Sequence, residues 1–405
     1  LNMEEVVHRQ LLQLQEIFLN IFLKFRVSSQ MNYKSNKFYE ESFGTLFFSK
    51  LYKLNFLIII SLILLGLVGV ASLYSAAGGN WDPWATNHLI RLIFGIFLMF
   101  ILAFLPHKIF FKLSVLSFFI GVLSLILVKF VGTGNVQRWI TLGGMNFQPS
   151  ETMKIALILI LARYFDHVSR IELDRLKSYI LPLFLIFLPG ILVISQPDLG
   201  TGLTIILLGL AILFFVGISM KFVILCFIIL ASSVPFIWKQ LYDYQKDRIL
   251  VFLNPELDSL GSGYQIIQSK IAIGSGGIFG KGYLLGSQSR LDYLPEKHTD
   301  FIFTLISEEL GFLGSIFIIL IFCILIISIM KISFRVKSLF SKIVAFGIGF
   351  LFFLYLSLNI GMVCGLLPVV GAPLPLISYG GTSLLTVLIG VGIVLSINIH
   401  DKEIV

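Results

Sequence analysis

Charge is scarce in this sequence. Only 13% of its 405 residues are Asp, Glu, Lys or Arg, where a soluble domain carries about 25%. With 57% hydrophobic residues and a mean hydropathy of +0.96, that shortage excludes a soluble globular domain. It predicts a polytopic membrane protein. Cysteine is nearly absent: Cys226, Cys323 and Cys364 lie in or near apolar runs without CxxC spacing. This argues against a disulfide framework and a zinc site. The histidines and scattered acids show no HExxH spacing, and no Walker A or GxGxxG motif opens a helix after a strand. ATP-driven chemistry and dinucleotide redox therefore have no support, and no nucleotide is expected. No cleavable signal peptide is evident. The net charge of +8 needs no nucleic-acid partner, because Lys and Arg gather in the cytoplasmic loops of membrane proteins.

Long apolar runs are what the sequence has instead. A spanning helix needs about 20 apolar residues. Candidates are 55–75, 87–105, 109–131, 150–166, 178–195, 200–218, 220–238, 300–330, 340–364 and 378–399. The expected fold is thus all-α and integral to the membrane, with about ten spans and a long extracytoplasmic loop, 239–299, between spans 7 and 8. Residues 51–405 form this membrane domain. Residues 1–50 read as an extension outside the fold, and apolar spacing over 3–26 fits an amphipathic helix. With the N-terminus inside, Arg163, Arg170, Arg175 and Lys177 fall in one cytoplasmic loop. Lys331, Arg335, Lys337 and Lys342 fall in another, as the positive-inside rule asks. Both termini are then cytoplasmic. The outer loops carry the unusual chemistry. "GTGNVQRWITLGGMNFQP" over 132–149 holds Arg138 among glycines, and "GLLPVVGAPLPLISYGG" over 365–381 packs three prolines and four glycines between two spans. Such backbone cannot face lipid and must be buried in protein or line a wet cavity.

The stretch "YLPEKHTDFIFTLISEELGF", Tyr293 to Phe312, passes from charged loop to apolar run at Asp300. Asp300 reads either as a helix cap or as a general base for a hydroxyl presented from the aqueous side. Glu296, Lys297 and His298 sit at headgroup level just before it. Glu308 and Glu309 lie about 12–14 Å further along the helix. They read as a structural ion pair or as part of a site. In "QPSETMKIAL", Pro149 precedes Ser150 as a cap, and Glu151 and Lys154 share a helix face. That pair either stabilises a helix end or holds an anionic headgroup. Arg138 is a further candidate for such an anion, with Lys270 or Arg290 available from the long loop. Asp198 in "SQPDLGTGLT" reads as a cap. Ser378 in "ISYGGTS" reads as a cap or as a substrate-contacting turn.

The motifs "RWITLGGMNFQPSETMK", "SQPDLGTG", "GYQIIQSKIAIGSGG", "LPEKHTDFIF" and "PLPLISYGGTS" together resemble the SEDS family of shape, elongation, division and sporulation proteins. The likeness runs from about residue 55 to 400 and is closer to the elongation branch (RodA) than to the division branch (FtsW). The resemblance implies a peptidoglycan glycosyltransferase in the bacterial inner (cytoplasmic) membrane, with its site facing the periplasm. It implies lipid II as substrate, with membrane lipids around it. A class B penicillin-binding protein and other proteins of the elongation machinery are the implied partners. The catalytic residue it implies is Asp300, and Glu151 and Lys154 match the functional pair of "QPSExxK". Arg138, Glu296, His298 and Ser378 complete the expected substrate-binding set. A divalent cation, Mg or Mn, is a possible cofactor with unknown ligands. Many relatives carry Arg two residues before "QPSE", where this chain has Asn146. Two rival readings stay open: a lipid II flippase, and a non-catalytic scaffold of the elongation machinery.

Overall fold

The structure, a computed structural model, describes residues 51, 53–132, 138–142, 145–168, 176–218, 224, 232, 239–240, 243–258, 261–287 and 296–400. The chain divides into two compact units, Leu1–Leu54 and Asn55–Val405. Nearly all of the first, including the amphipathic stretch over 3–26, lies outside the described residues, as do most of the span expected at 220–238 and Arg290. The second unit is an all-α membrane bundle.

Its helices in chain order are α1 (Phe56–Ala76), α2 (Ala85–Phe104), α3 (His107–Val131), α4 (Pro149–His167), α5 (Ile180–Ile194), α6 (Leu199–Val216), α7 (Asp243–Leu253), α8 (Ser262–Ser275), α9 (Ile302–Arg335), α10 (Leu339–Val363) and α11 (Gly381–His400). Among the described residues, eight helical segments are long and apolar enough to cross a membrane: α1, α2, α3, Lys177–Ile194, α6, α9, α10 and α11. α4 is as long as a thin span, but its 19 residues include Glu151, Lys154, Arg163 and Asp166. It survives at depth because it is wrapped by α3, α10 and α6. Its cap is Gln148 rather than the expected Ser150. Proline is well suited to the first helical position, where its missing N–H costs nothing, so the helix starts at Pro149.

Lipid tails are as apolar as leucine, so helices associate here through close packing at small residues. A Cβ on Gly95 would come within 2.4 Å of Leu388, where α2 meets α11. One on Gly209 would come within 2.4 Å of Ile186, where α6 meets α5. Between α3 and α4 the chain forms an antiparallel hairpin, β1 (Ile140–Leu142) and β2 (Met145–Phe147), with Thr141 opposite Asn146. Thr382 ties this hairpin to the head of α11: its hydroxyl donates to the Asn146 carbonyl at 3.1 Å and accepts from the Gln148 N–H at 3.2 Å.

The apolar run expected as one uninterrupted span over 300–330 is broken. Within α9, Gly311 adopts φ 66°, ψ −161°, a conformation essentially restricted to glycine. Backbone groups exposed by such a break must find partners in the protein, and the 276–282 turn supplies them. Lys281 and Gly282 donate their N–H groups to the carbonyls of Glu308 and Glu309, each at 3.0 Å. Phe312 and Leu313 donate to the carbonyls of Gly277 and Ile278, at 2.9 and 3.2 Å. The acids are held by the same turn. Glu308 is fully buried and pairs with Lys281 at 2.7 Å. Glu309 accepts from Ser75 of α1. The two carboxylates thus fasten α9 to the turn and to α1, and neither lines the site described below.

A Cβ at Gly311 would lie 2.3 Å from the Gly280 nitrogen. Gly311→Ala is expected to destabilise the detergent-solubilised protein by at least the roughly 1–3 kcal/mol of the backbone strain alone. Gly274, in α8, has open space around it, so Gly274→Ala should be neutral or slightly stabilising. Thermal melting of the two variants checks the contrast; equal melting temperatures would contradict it.

Candidate active site

A cavity of about 430 Å³ opens where the loops at one end of the bundle converge. Arg138 and Trp139 enter it from the start of the hairpin, and Gln148 from the head of α4. Asp198 comes from the head of α6, Gln265 from α8, and Glu296, Thr299 and Asp300 from the turn before α9. Val369, Val370, Gly371, Pro373, Tyr379 and Gly380 form the wall from the glycine–proline segment before α11. That segment is also buried on its other side, through Ala372, Leu374, Leu376 and Ile377. It therefore satisfies both conditions for irregular backbone at membrane depth.

Asp300 does not cap its helix. The cap position is Phe301, and no side chain caps it. The reason is the tight turn over 296–300, in which the Thr299 and Phe301 N–H groups both donate to the Glu296 carbonyl at 3.2 Å. The carboxylate is turned instead toward the cavity wall. A Cβ built on Gly371 (φ 69°) would stand 3.4 Å from Asp300 Oδ2.

Three ties hold the Asp300 turn against the wall segment. Asn359 of α10 donates through one amide nitrogen to the Asp300 carbonyl at 2.8 Å and the Ala372 carbonyl at 2.7 Å. Ser378 donates to the Thr299 carbonyl at 2.6 Å and accepts from the Leu374 N–H at 2.8 Å. The Tyr379 N–H donates to the His298 carbonyl at 2.9 Å. Ser378, expected as a substrate contact, is buried and acts as a clasp between backbones. His298 does not line the cavity either; its half-buried ring stacks on Trp84 at 4.3 Å. Glu296 does line it and accepts from the Thr299 hydroxyl at 2.7 Å.

Arg138 lines the cavity while anchored to the loop before α6. Its guanidinium donates to the carbonyls of Gln196 and Pro197 and lies 3.9 Å from Asp198. Asp198 caps α6 through the Thr201 N–H at 3.2 Å and accepts from the Gln148 amide at 3.4 Å. Glu151 and Lys154, expected to bind substrate, are placed elsewhere. Both are buried and do not line the cavity. Lys154 pairs with Glu151 at 2.7 Å and donates to the Tyr355 hydroxyl at 2.8 Å, and that hydroxyl donates to the second Glu151 oxygen. A cation inside protein keeps its charge only with such partners, so α4 uses this pair to bind α10. Lys270 is exposed and does not line the cavity. Asn146 lies on β2, its side chain accepting from Thr141 at 3.0 Å.

The sequence reading missed Asn359, Tyr355, Gln265 and Tyr379. A signal existed for the first two: they are polar groups four residues apart in an apolar span, hence on one helix face. Among the described lining residues, Arg138 is the one Lys or Arg, against Asp198, Glu296 and Asp300. Also among the described residues, no three His, Cys, Asp or Glu side chains gather as a metal-binding set.

The family model for FtsW, RodA and SpoVE, described as "Cell cycle protein", matches residues 52–403. The peptidoglycan glycosyltransferase MrdB of Escherichia coli K12 is 41% identical over 345 residues, 84% of this chain and 93% of that one. Among solved structures, a peptidoglycan synthase complex that coordinates polymerization and crosslinking contains a chain with TM-score 0.75 and 30% identity. The match covers 86% of this chain and 99% of that one. The rod shape determining protein RodA of Thermus thermophilus matches with TM-score 0.64 and 25% identity, over 86% and 97% of the two chains.

Asn359→Leu leaves the Asp300 and Ala372 carbonyls without their donor. A cost of about 1–3 kcal/mol per orphaned group is expected, read as lower thermal stability together with lower activity. Ser378→Ala should act in the same direction. His298 gives a pH signature. Burial pushes its pKa below the ordinary 6.5, while Glu296 raises it and Lys297 lowers it further. The neutral ring is the form the fold favours, so its contribution is full above the unfolded value of about 6.5 and fades as pH falls through the folded one. The melting-temperature gap between wild type and His298→Gln should therefore narrow from about pH 7.5 to about pH 5. A gap that stays constant or widens contradicts this.

Proposed function

The chain belongs to the FtsW, RodA and SpoVE family of cell cycle proteins, and from that premise we propose that it polymerises lipid II at the outer membrane surface during cell elongation. It is a peptidoglycan glycosyltransferase of the RodA type. Its place is the bacterial inner membrane, with both termini cytoplasmic, ten spans and the cavity open to the periplasm. Its partner is a class B penicillin-binding protein that crosslinks the new strands within the elongation machinery.

The observation that carries the reading is Asp300. It is a carboxylate at the wall of a polar cavity, at the head of a membrane helix, fixed through its own backbone by Asn359. Lipid II has phosphates at the membrane surface and sugars in water, so a site on that boundary suits it. Asp300 acts as the general base and takes the proton of the acceptor's GlcNAc 4-hydroxyl. The freed oxygen forms a bond to the anomeric carbon of the donor MurNAc. The bond from that carbon to the diphosphate breaks, and undecaprenyl pyrophosphate leaves with the electron pair. Arg138 faces the growing negative charge.

A divalent cation fits this site only in the Mg manner, with one or two carboxylates from the protein and the remaining ligands from substrate phosphates and water. Glu296 and Asp300 would be its carboxylates, since Asp198 already caps α6 and faces Arg138, and the charge such an ion supplies would offset that of the leaving diphosphate.

Purified protein given lipid II should make glycan strands, and Asp300→Asn should lower the rate by about 10²–10⁴-fold, the span of a positioned base. Undiminished strand synthesis, or lipid scrambling that persists in the variant without any polymer, would favour the flippase. A chelator should slow polymerisation, and added Mg or Mn should restore it.

A further inference from the structure

We propose that Arg91 is a binding residue for the phosphates of the lipid-linked substrate at the Tyr379 wall of the cavity. The proposal rests on the glycosyltransferase reading above and deepens it. Arg91 sits in α2, about 9 Å inside the first residue of that helix. A cation at such depth is costly, faces a partner or a wet cavity, and marks function. The end of α2 that carries it is the end of the site: Trp84, just before α2, stacks on His298, and His88 donates to the Leu376 carbonyl at 3.0 Å.

The guanidinium lies over the Tyr379 ring, 5.1 Å from its centroid, and Tyr379 lines the cavity. It also lies flat against the start of α11. A Cβ on Gly381 would come within 2.9–3.1 Å of its Nη1, Cζ and Nε atoms. Glycine there is what lets the guanidinium approach. A ring face holds the cation in place but accepts none of its five N–H donors in their plane.

Several other buried or half-buried cations of the bundle have oxygen partners. Arg138 has two carbonyls and Asp198, Arg163 has the Phe111 carbonyl at 3.0 Å, Lys154 has Glu151 and Tyr355, and Lys281 has Glu308. Arg91 makes no hydrogen bond or ion pair among the described residues. The hairpin reaches the same head of α11 through Thr382 but brings the neutral Asn146 to it.

A planar fork of donors with no protein acceptor, beside a cavity poor in cations and rich in acids, matches a phosphate. Two lipids carry that chemistry at this depth: the diphosphate of the substrate and an ordinary phospholipid headgroup. The contact with Tyr379 favours the diphosphate, because that ring belongs to the wall around Asp300.

The test uses the full chain in nanodiscs, as wild type, Arg91→Gln, Arg91→Lys and the control Lys129→Gln, which removes an exposed cation from the end of α3. Undecaprenyl pyrophosphate is titrated, with and without phosphatidylglycerol in the disc. Loss of a charge-assisted contact should weaken binding by about tenfold or more in Arg91→Gln. Arg91→Lys should recover part of it, and the control should match wild type. In strand synthesis, KM for lipid II should rise by a similar factor with kcat little changed. Unchanged binding in Arg91→Gln overturns the proposal. So does a loss that appears only as weaker retention of phosphatidylglycerol. Diphosphate binding is read directly, so wild type that binds but makes no polymer would sink the glycosyltransferase reading and leave the subsite standing.

Discussion

One amide group carries much of this architecture. The Asn359 side chain, in the middle of the protein's interior, donates from a single nitrogen to the carbonyls of Asp300 and Ala372. Those carbonyls belong to the two irregular segments that meet at the cavity. Neither segment has a regular backbone ladder to hold it, and neither can be satisfied by lipid. A helix that is rigid over 25 residues therefore lends its geometry to two loops that lack their own. Ser378 and the Tyr379–His298 backbone bond add to this. Together they fix the Asp300 main chain while its carboxylate stays at the cavity wall.

Charge in the bundle follows one rule: among the described residues, each acid deep inside has a named donor. Glu151 has Lys154 and Tyr355, Glu308 has Lys281, and Glu309 has Ser75. The contacts with Tyr355, Lys281 and Ser75 join different elements, so they serve as registration marks between them more than as sources of stability. The cavity reverses the pattern, with three acids facing one anchored arginine. That imbalance suits a site that receives sugar hydroxyls and must meet a diphosphate with extra positive charge. It separates the cavity-lining carboxylates from those that tie helices together more sharply than sequence depth does.

Much of the fold was legible because the membrane imposes a simple length and polarity rule on helices. α1, α3, α6 and α10 are plain apolar runs, and the need to bury the 365–381 segment followed from its prolines and glycines. What the sequence hid were contacts set by three-dimensional closure. The break sits at Gly311 in "EELGF", where the two acids stand out and the glycine does not, and only the 276–282 turn, thirty-odd residues earlier, makes sense of it. Asp300 and Arg138 stood out by their places at loop–helix boundaries, and the structure brings both to one cavity. Glu151, Lys154, His298 and Ser378 stood out by the same polarity signal but face inward, toward Tyr355, Trp84 and backbone carbonyls. Polarity at a membrane boundary marks residues that need a partner; it does not say whether that partner is protein or substrate. Tyr355 and Asn359 show the converse, since their signal was buried in a run of phenylalanine and leucine.

The strap that closes the break in α9 also sets an order of assembly. Residues 276–282 leave the ribosome before Glu308 to Leu313, so the donors and acceptors that the interrupted helix requires are already synthesised when it emerges. α10 and the segment after it follow later. Asp300 therefore precedes a helix whose break can be closed by residues already synthesised, while its own seat waits for Asn359 and Ser378. A nascent chain stopped short of α10 would hold a well-tethered helix whose carboxylate has no finished wall to face, and so would be silent until translation ends.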